Sequence, residues 1–198
     1  MPSTNASLPR TDSKSRTRFG HGFFEPGEIW TIKEEGKEEK GQMHIRRANE
    51  QDLDRVLELL SQVLEVHAVI RPDLFISGTR KYTRDELREI FRDDTKPVFL
   101  VENSENEVLG YCFCQMQVTE NSNNLRDSMS LFIDDICVDE KYRGQHVGKF
   151  LCDYVMDYAR AKGCYDITLN VWEGNDAARE FYRKMGFGVR KAVMEKIL

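Results

Sequence analysis

The stretch from Leu131 to Lys149, LFIDDICVDEKYRGQHVGK, constrains this chain more than any other. An apolar run holding two adjacent acids, Asp134 and Asp135, passes into a short polar turn. Arg143, Gly144 and Gly148 follow as a helical pattern begins. The order predicts a strand, a loop and a helix N-terminus. A helix start leaves backbone N–H groups unpaired and carries partial positive charge, so a glycine-bearing loop that feeds one is suited to a phosphate or diphosphate.

The segments on either side supply a sheet and its helices. Met43 to Arg47 reads as a short strand, and Asn49 is placed to cap a helix whose apolar residues Leu53, Val56, Leu57, Leu60, Val63 and Leu64 recur at helical spacing to about Val66. Pro72 breaks that pattern. Thr83 and Glu86 form a capping box for a second helix. Val98 to Glu102 and Val108 to Val118 read as a hairpin, with Gly110 as a bulge candidate, and a polar loop from Glu120 to Asp127 follows. Beyond Arg143 come a helix to about Lys162, a strand from Asp166 to Trp172, a helix closed by Gly186, and a strand-like end from Gly188 to Leu198. The strand at Leu131 to Val138, its crossover helix and the strand at Asp166 make a right-handed parallel βαβ unit. The hairpins before it make the sheet mixed. The expected class is α/β (α+β), a mixed central β-sheet with helices on both faces.

Residues 1 to about 42 differ in kind, with Ser, Thr, Pro and basic residues and then a Glu/Lys-rich run. They are expected to form a mostly flexible tail with an aromatic patch from Phe19 to Trp30, leaving 43–198 as the folded domain. That patch could dock on the domain or on a partner, a second copy of the chain included.

The 198 residues carry 29 basic and 34 acidic side chains, a net charge of −5, which argues against nucleic acid as the main partner. No apolar run reaches the ~18 to 20 residues of a membrane span. The five cysteines have no zinc-site spacing and read as reduced core thiols, so no metal is expected and a cytoplasmic location is.

At residues 143–148, R-G-Q-H-V-G, and at N-x-x-A-x-x-F-Y-x-x-x-G-F from Asn175 to Phe187, the chain resembles the GNAT acetyltransferase superfamily. The resemblance covers about residues 43–198 and is most specific over 131–187. Its loop pattern, Q/R-x-x-G-x-G/A, is matched at Arg143 and Gly148 and departed from at His146, where glycine is usual. A position that needs positive φ costs histidine more than glycine.

The resemblance implies an N-acetyltransferase that moves an acetyl group from acetyl-CoA to a primary amine by direct attack in a ternary complex. Pantetheine would lie along the backbone of Ile136, Cys137 and Val138, with the Val138 N–H as oxyanion donor. The diphosphate would sit on Arg143, Gly144, Gln145, His146, Val147, Gly148 and Lys149, and Asn175 would bond the cofactor from the second helix. An amine of pKa ~10.4 needs a base near neutral pH. Strand alternation lets only one of the two acids face the centre, and the family's usual acid position selects Asp134. Tyr182 would protonate the departing thiolate. The acceptor is open between a small-molecule amine and a peptide or protein amine, with walls expected from 67–80, 120–127 and the C-terminal strands. A non-catalytic acyl-CoA-binding module of the same fold is the alternative.

Three further residues have blander readings. By parity Cys137 turns away from Asp134's face and is a buried structural thiol, His67 is a helix-end residue beside the acceptor groove, and Trp172 is core.

Overall fold

In a computed structural model of the chain, the residues described are 30–32 and 43–198. The aromatic patch up to Ile29 and the charged run after Ile32 lie outside them.

Among the described residues, six strands form one sheet in sequence order. They are β1 (Trp30–Ile32), β2 (Met43–Arg47), β3 (Val98–Asn103), β4 (Val108–Thr119), β5 (Ser128–Val138) and β6 (Asp166–Leu169). Every neighbouring pair is antiparallel except β5 and β6, which are parallel, so the sheet is mixed. β1 pairs with β2 from within the segment expected to be tail.

α1 (Leu53–Ile70) and α2 (Arg84–Arg92) cover one face, and α3 (Val147–Ala161) covers the other. Leu53, Val56, Leu57, Leu59 and Leu60 on α1, with Leu87 and Phe91 on α2, bury Leu100, Tyr111 and Phe113. Phe150, Leu151, Tyr154 and Val155 on α3 bury Phe99, Val101, Leu131 and Ile133. Each large apolar side chain buried this way contributes roughly 1.5–3 kcal/mol. α4 (Asp176–Lys184) lays Phe181 within reach of Gly148 and Val138.

Local signals explain most boundaries. Thr83 and Glu86 cap α2 reciprocally, each side chain bonding the other's backbone N–H. Asn49 and Asp52 do the same for a 3₁₀ turn at Glu50–Asp52 that leads into α1. α1 passes the expected stop at Val66 and ends at Ile70, directly before Arg71 and Pro72.

The structure departs from expectation at the C-terminal end. β6 stops at Leu169 rather than at Trp172. Residues 187–198 carry neither strand nor helix, and Val189, Val193, Met194 and Ile197 are exposed. Val189, Val193 and Ile197 recur every four residues and not every second one, so the segment lacks the alternation of a half-buried strand, and no strand lies alongside it among the described residues.

Candidate active site

Two β-bulges shape β4 and β5. At the first, Val101 pairs with Gly110 and Glu102 with Val108, so Leu109 is the extra residue. A Cβ on Gly110 would lie 2.4 Å from the Cys137 carbonyl oxygen, and that contact is why only glycine fits. At the second, Phe113 pairs with Asp135 and Cys114 with Ile133, leaving Asp134 as the extra residue.

The second bulge overturns the alternation argument for the two acids. Leu131 and Ile133 face α3, and beyond the bulge Ile136 and Val138 do so too. Asp134 and Asp135 therefore share the α1/α2 face, where one ammonium reaches both. Lys81 Nζ donates to Asp134 Oδ2 at 3.0 Å and lies 3.4 Å from Asp135 Oδ2. Cys137 is on that same face, contrary to the parity expectation, with Sγ 3.6 Å from the Leu59 carbonyl. It is nonetheless a core thiol, because burial pushes its pKa up to about 12.

The surroundings of the acid pair are unequal. The Asp134 side chain is 38% exposed and also accepts from the Tyr82 hydroxyl at 3.3 Å. The Asp135 side chain is 8% exposed. Burial raises the Asp135 carboxyl above its ordinary value, against the pull of Lys81. Burial opposes the charge of Lys81, but the two carboxylates outweigh it and hold the amine above the ordinary lysine value. The Tyr111 hydroxyl on β4 is buried beside Asp135, and burial together with that neighbouring carboxylate raises its pKa.

One wall beside this pair is aromatic. His67 sits 5.1 Å from Phe75 between ring centroids, and Phe75 meets Trp172 edge-on at 5.3 Å. Trp172 is partly exposed beneath the Arg71 guanidinium, so it is a stacking surface and not core. β6 ends before reaching it, which frees the ring to turn outward. Burial lowers the His67 pKa, with Asp135 opposing, so the ring is neutral near pH 7.

On the opposite side, β6 pairs with β5 only from Ser130 to Ile133, whereas β5 continues to Val138. The sheet splits there, and no described strand lies beside Ile136, Cys137 and Val138 on that edge. Arg143 Nε donates to the Val138 carbonyl at 3.2 Å, and Gln145 Nε2 to that of Lys141 at 3.1 Å. Gly144 has φ +77° and His146 φ +63°, so position 146 is indeed left-handed. His146 begins α3 without a side-chain cap, and its carbonyl accepts from the Phe150 N–H at 3.0 Å. The N–H groups of Val147, Gly148 and Lys149 precede the first such helical bond and are available to an anion. Lys149 Nζ pairs with Asp153 at 2.7 Å. A Cβ on Gly148 would meet Val138 at 3.5 Å and Phe181 at 3.6 Å, ordinary contacts, so this position admits alanine where Gly110 does not.

α4 closes the site. Asn175 Oδ1 caps it by accepting from the Ala178 N–H at 3.1 Å. Tyr182 is buried between Phe181 and Phe187, and burial raises its pKa well above the ordinary tyrosine value. It therefore stays a proton donor at any working pH.

A split parallel pair, an uncapped helix start after a left-handed turn and a tyrosine-bearing closing helix lie together. The chain matches the acetyltransferase (GNAT) family over residues 63–187. It belongs to that family. Glucosamine 6-phosphate N-acetyltransferase of Arabidopsis thaliana is 33% identical over 64 residues, covering 32% of this chain and 41% of the relative. The chain thus matches less than half the length of that protein. Thialysine N-epsilon-acetyltransferase of Bos taurus is 25% identical over 146 residues, 72% of this chain and 82% of the relative. A mutant form of a Bacillus halodurans protein superposes with a TM-score of 0.75 at 27% identity, covering 78% of this chain and 98% of that one.

Lys81, Tyr82 and Tyr111 were missed as site residues by sequence reasoning. Lys81 stands 53 positions before Asp134 in an irregular segment, where no periodicity fixes direction. The bulge was the one signal that could have found Asp135's orientation, and two adjacent acids on an apolar strand were its only trace.

Proposed function

We propose that this chain transfers an acetyl group from acetyl-CoA to a primary amine by direct attack in a ternary complex. The observation that carries the reading is the carboxylate pair at the β5 bulge, already gripping an alkylammonium beside an unpaired strand edge. Pantetheine extends along Ile136, Cys137 and Val138 as an added strand would, with the Val138 N–H at the thioester oxygen. The diphosphate rests on residues 143–149, where the left-handed turn and open N–H groups suit it, and Asn175 bonds the cofactor from α4.

Asp134 and Asp135 hold the acceptor ammonium together and take its proton as a pair. The proton's destination is Asp135, because burial and an ionised neighbour make it the stronger proton acceptor. The free amine attacks the thioester carbon, the C–S bond breaks, Tyr182 protonates the sulfur, and the second nitrogen proton of the adduct restores Tyr182. Two carboxylates favour a cationic acceptor, so an aminoalkyl compound of the kind named for the Bos taurus relative suits this site better than a phosphorylated sugar. Side-chain and N-terminal amines of peptides share that chemistry. Five free thiols accord with a reducing, cytoplasmic setting, and among the described residues no helix is long and apolar enough to cross a membrane.

Thiol release from acetyl-CoA over a panel of alkylamines, amino acids, amino sugars and lysine peptides tests the reading. Turnover is expected with cationic alkylamines, together with a rise in melting temperature on adding acetyl-CoA. Silence across the panel, with no thermal shift, would overturn it. Tyr182→Phe is expected to lower turnover while leaving the acetyl-CoA thermal shift intact, and unchanged turnover removes Tyr182 from the mechanism.

A further inference from the structure

We infer that Lys81 is a self-acetylation site, an internal amine seated in the acceptor position and acetylated in cis when no external amine is bound. The inference rests on the acetyltransferase reading above.

Lys81 places Nζ on the two carboxylates that would receive a substrate ammonium, at 3.0 Å and 3.4 Å. The same ammonium stands over the Tyr82 ring, 5.2 Å from its centroid. The Tyr111 hydroxyl is buried on the same side of the sheet, with Asp135 as its polar neighbour. An acceptor alkylammonium needs the same contacts, and Lys81 already supplies its chemistry.

The backbone that delivers Lys81 is pinned on both sides. Glu65 on α1 accepts from the Ser77 hydroxyl at 2.6 Å and from the Gly78 N–H at 2.7 Å. Four residues after that anchor ends, Tyr82 stacks on Phe113 and Thr83 opens the α2 capping box. A side chain returned repeatedly to one place reacts at high effective molarity.

The step balances. One ammonium proton passes to Asp135, the Nζ lone pair forms a bond to the thioester carbon, and the tetrahedral adduct loses its second nitrogen proton as the C–S bond breaks. The sulfur leaves with the electron pair and is protonated, so the products are an Nζ-acetyl amide, CoA thiol and one net proton. The amide carries no charge, and both ion pairs that hold residues 76–82 over the acids are lost.

Spontaneous acetylation predicts the opposite preference. Lys96, Lys149 and Lys184 are more exposed than Lys81, at 47%, 49% and 68% against 36%. Lys81's amine is also held above the ordinary lysine value, so a smaller fraction of it is free to attack without a base. Only catalysis puts Lys81 first.

The full chain is therefore incubated with acetyl-CoA and no added amine, and peptide mass spectrometry follows each lysine. Lys81 is expected to be acetylated at least about tenfold faster than Lys96, Lys149 or Lys184, a difference worth ~1.4 kcal/mol. Its rate per chain should not change on dilution. An added alkylamine acceptor should slow it by competition. Asp135→Asn should slow it about 100-fold, the lower range for a positioned base, and Lys81→Arg should remove the acceptor-independent thiol release while keeping the acetyl-CoA thermal shift. Lys81 reacting no faster than the surface lysines, or at a rate that scales with protein concentration, overturns the inference. The amine panel reports separately on the acetyltransferase reading, so turnover of the panel with an unmodified Lys81 sinks only the self-acetylation.

Discussion

Asp135 carries a carboxyl that burial lifts above its ordinary value while Lys81 and a second acid compete for it. Its neighbours are Asp134 and Cys137 on β5, Tyr111 on β4, His67 on α1, and Lys81 and Tyr82 ahead of α2. As the proposed base, Asp135 must be ionised to take a proton, so activity is expected to be lost as pH falls through this raised pKa. The acid limb of kcat/KM is therefore expected above the ordinary aspartate value of ~3.9, as a property of the coupled pair. Asp135→Asn should lower kcat about 100-fold and flatten that limb. A limb at the ordinary value would place the base elsewhere. A raised carboxyl pKa stabilises a fold below that pKa and is a liability above it, so the same variant should keep its melting temperature near pH 7. His146 makes a second test at this scale. A left-handed residue other than glycine costs roughly 1 kcal/mol, partly offset by the greater freedom glycine has when unfolded. His146→Gly is expected to gain a few tenths to about 1 kcal/mol in urea unfolding. The strain at 146 was legible in the sequence because the motif's glycine positions imply backbone shape. The shared face of the two acids was not, since a one-residue bulge reverses parity and two adjacent acids on an apolar strand are its only trace.

Elements with local codes were the easiest to read. The α2 capping box, the α3 stop at Gly163 with φ +76° and the βαβ unit follow from side chains a few residues apart. Boundaries decided by distant partners were harder. β6 ends at Leu169 because β5 bulges away beyond Ile133, and the apolar residues after Gly188 form no strand among the described residues. Thr83 links a local code to the site, because its cap fixes the residue two positions after Lys81. Thr83→Ala removes a side-chain acceptor for the Glu86 N–H and should cost about 1 kcal/mol, read as a lower urea midpoint at unchanged m. The acceptor KM should move with it while the acetyl-CoA thermal shift stays, because α2 borders the acceptor side alone. A matching shift in both would mean that α2 supports the whole sheet and not that side.

On the scale of the molecule, two cores lie on opposite faces of one sheet, and in the proposed reaction each would serve one of the two ligands. The α3 core brings the open helix start to the unpaired edge of β5, and the α1/α2 core brings Lys81, Tyr82 and His67 over the acids. The two sides meet at the bulge, where a thioester held along the edge as proposed would end beside the carboxylates. The C-terminal segment reaches the acceptor side through Glu195 and β6 through Arg190. Arg71 pairs with Asp73 at 2.6 Å and Glu195 at 2.9 Å while covering Trp172, and Gly174 lies close enough to Ile70 that a Cβ would come within 3.2 Å. The end of α1, the turn after β6 and the segment around Glu195 thus share one wall. Deleting residues 189–198 removes one carboxylate from Arg71 and frees its guanidinium to move off the indole. These are exposed ion pairs with little weight in global stability. The truncated chain is therefore expected to keep its urea midpoint and its thermal response to acetyl-CoA, and to lose acceptor affinity, seen as a raised KM for the amine at unchanged kcat. A fall in the acetyl-CoA response would instead assign the segment to the cofactor side, through the Arg190–Asp166 pair at 2.9 Å on β6.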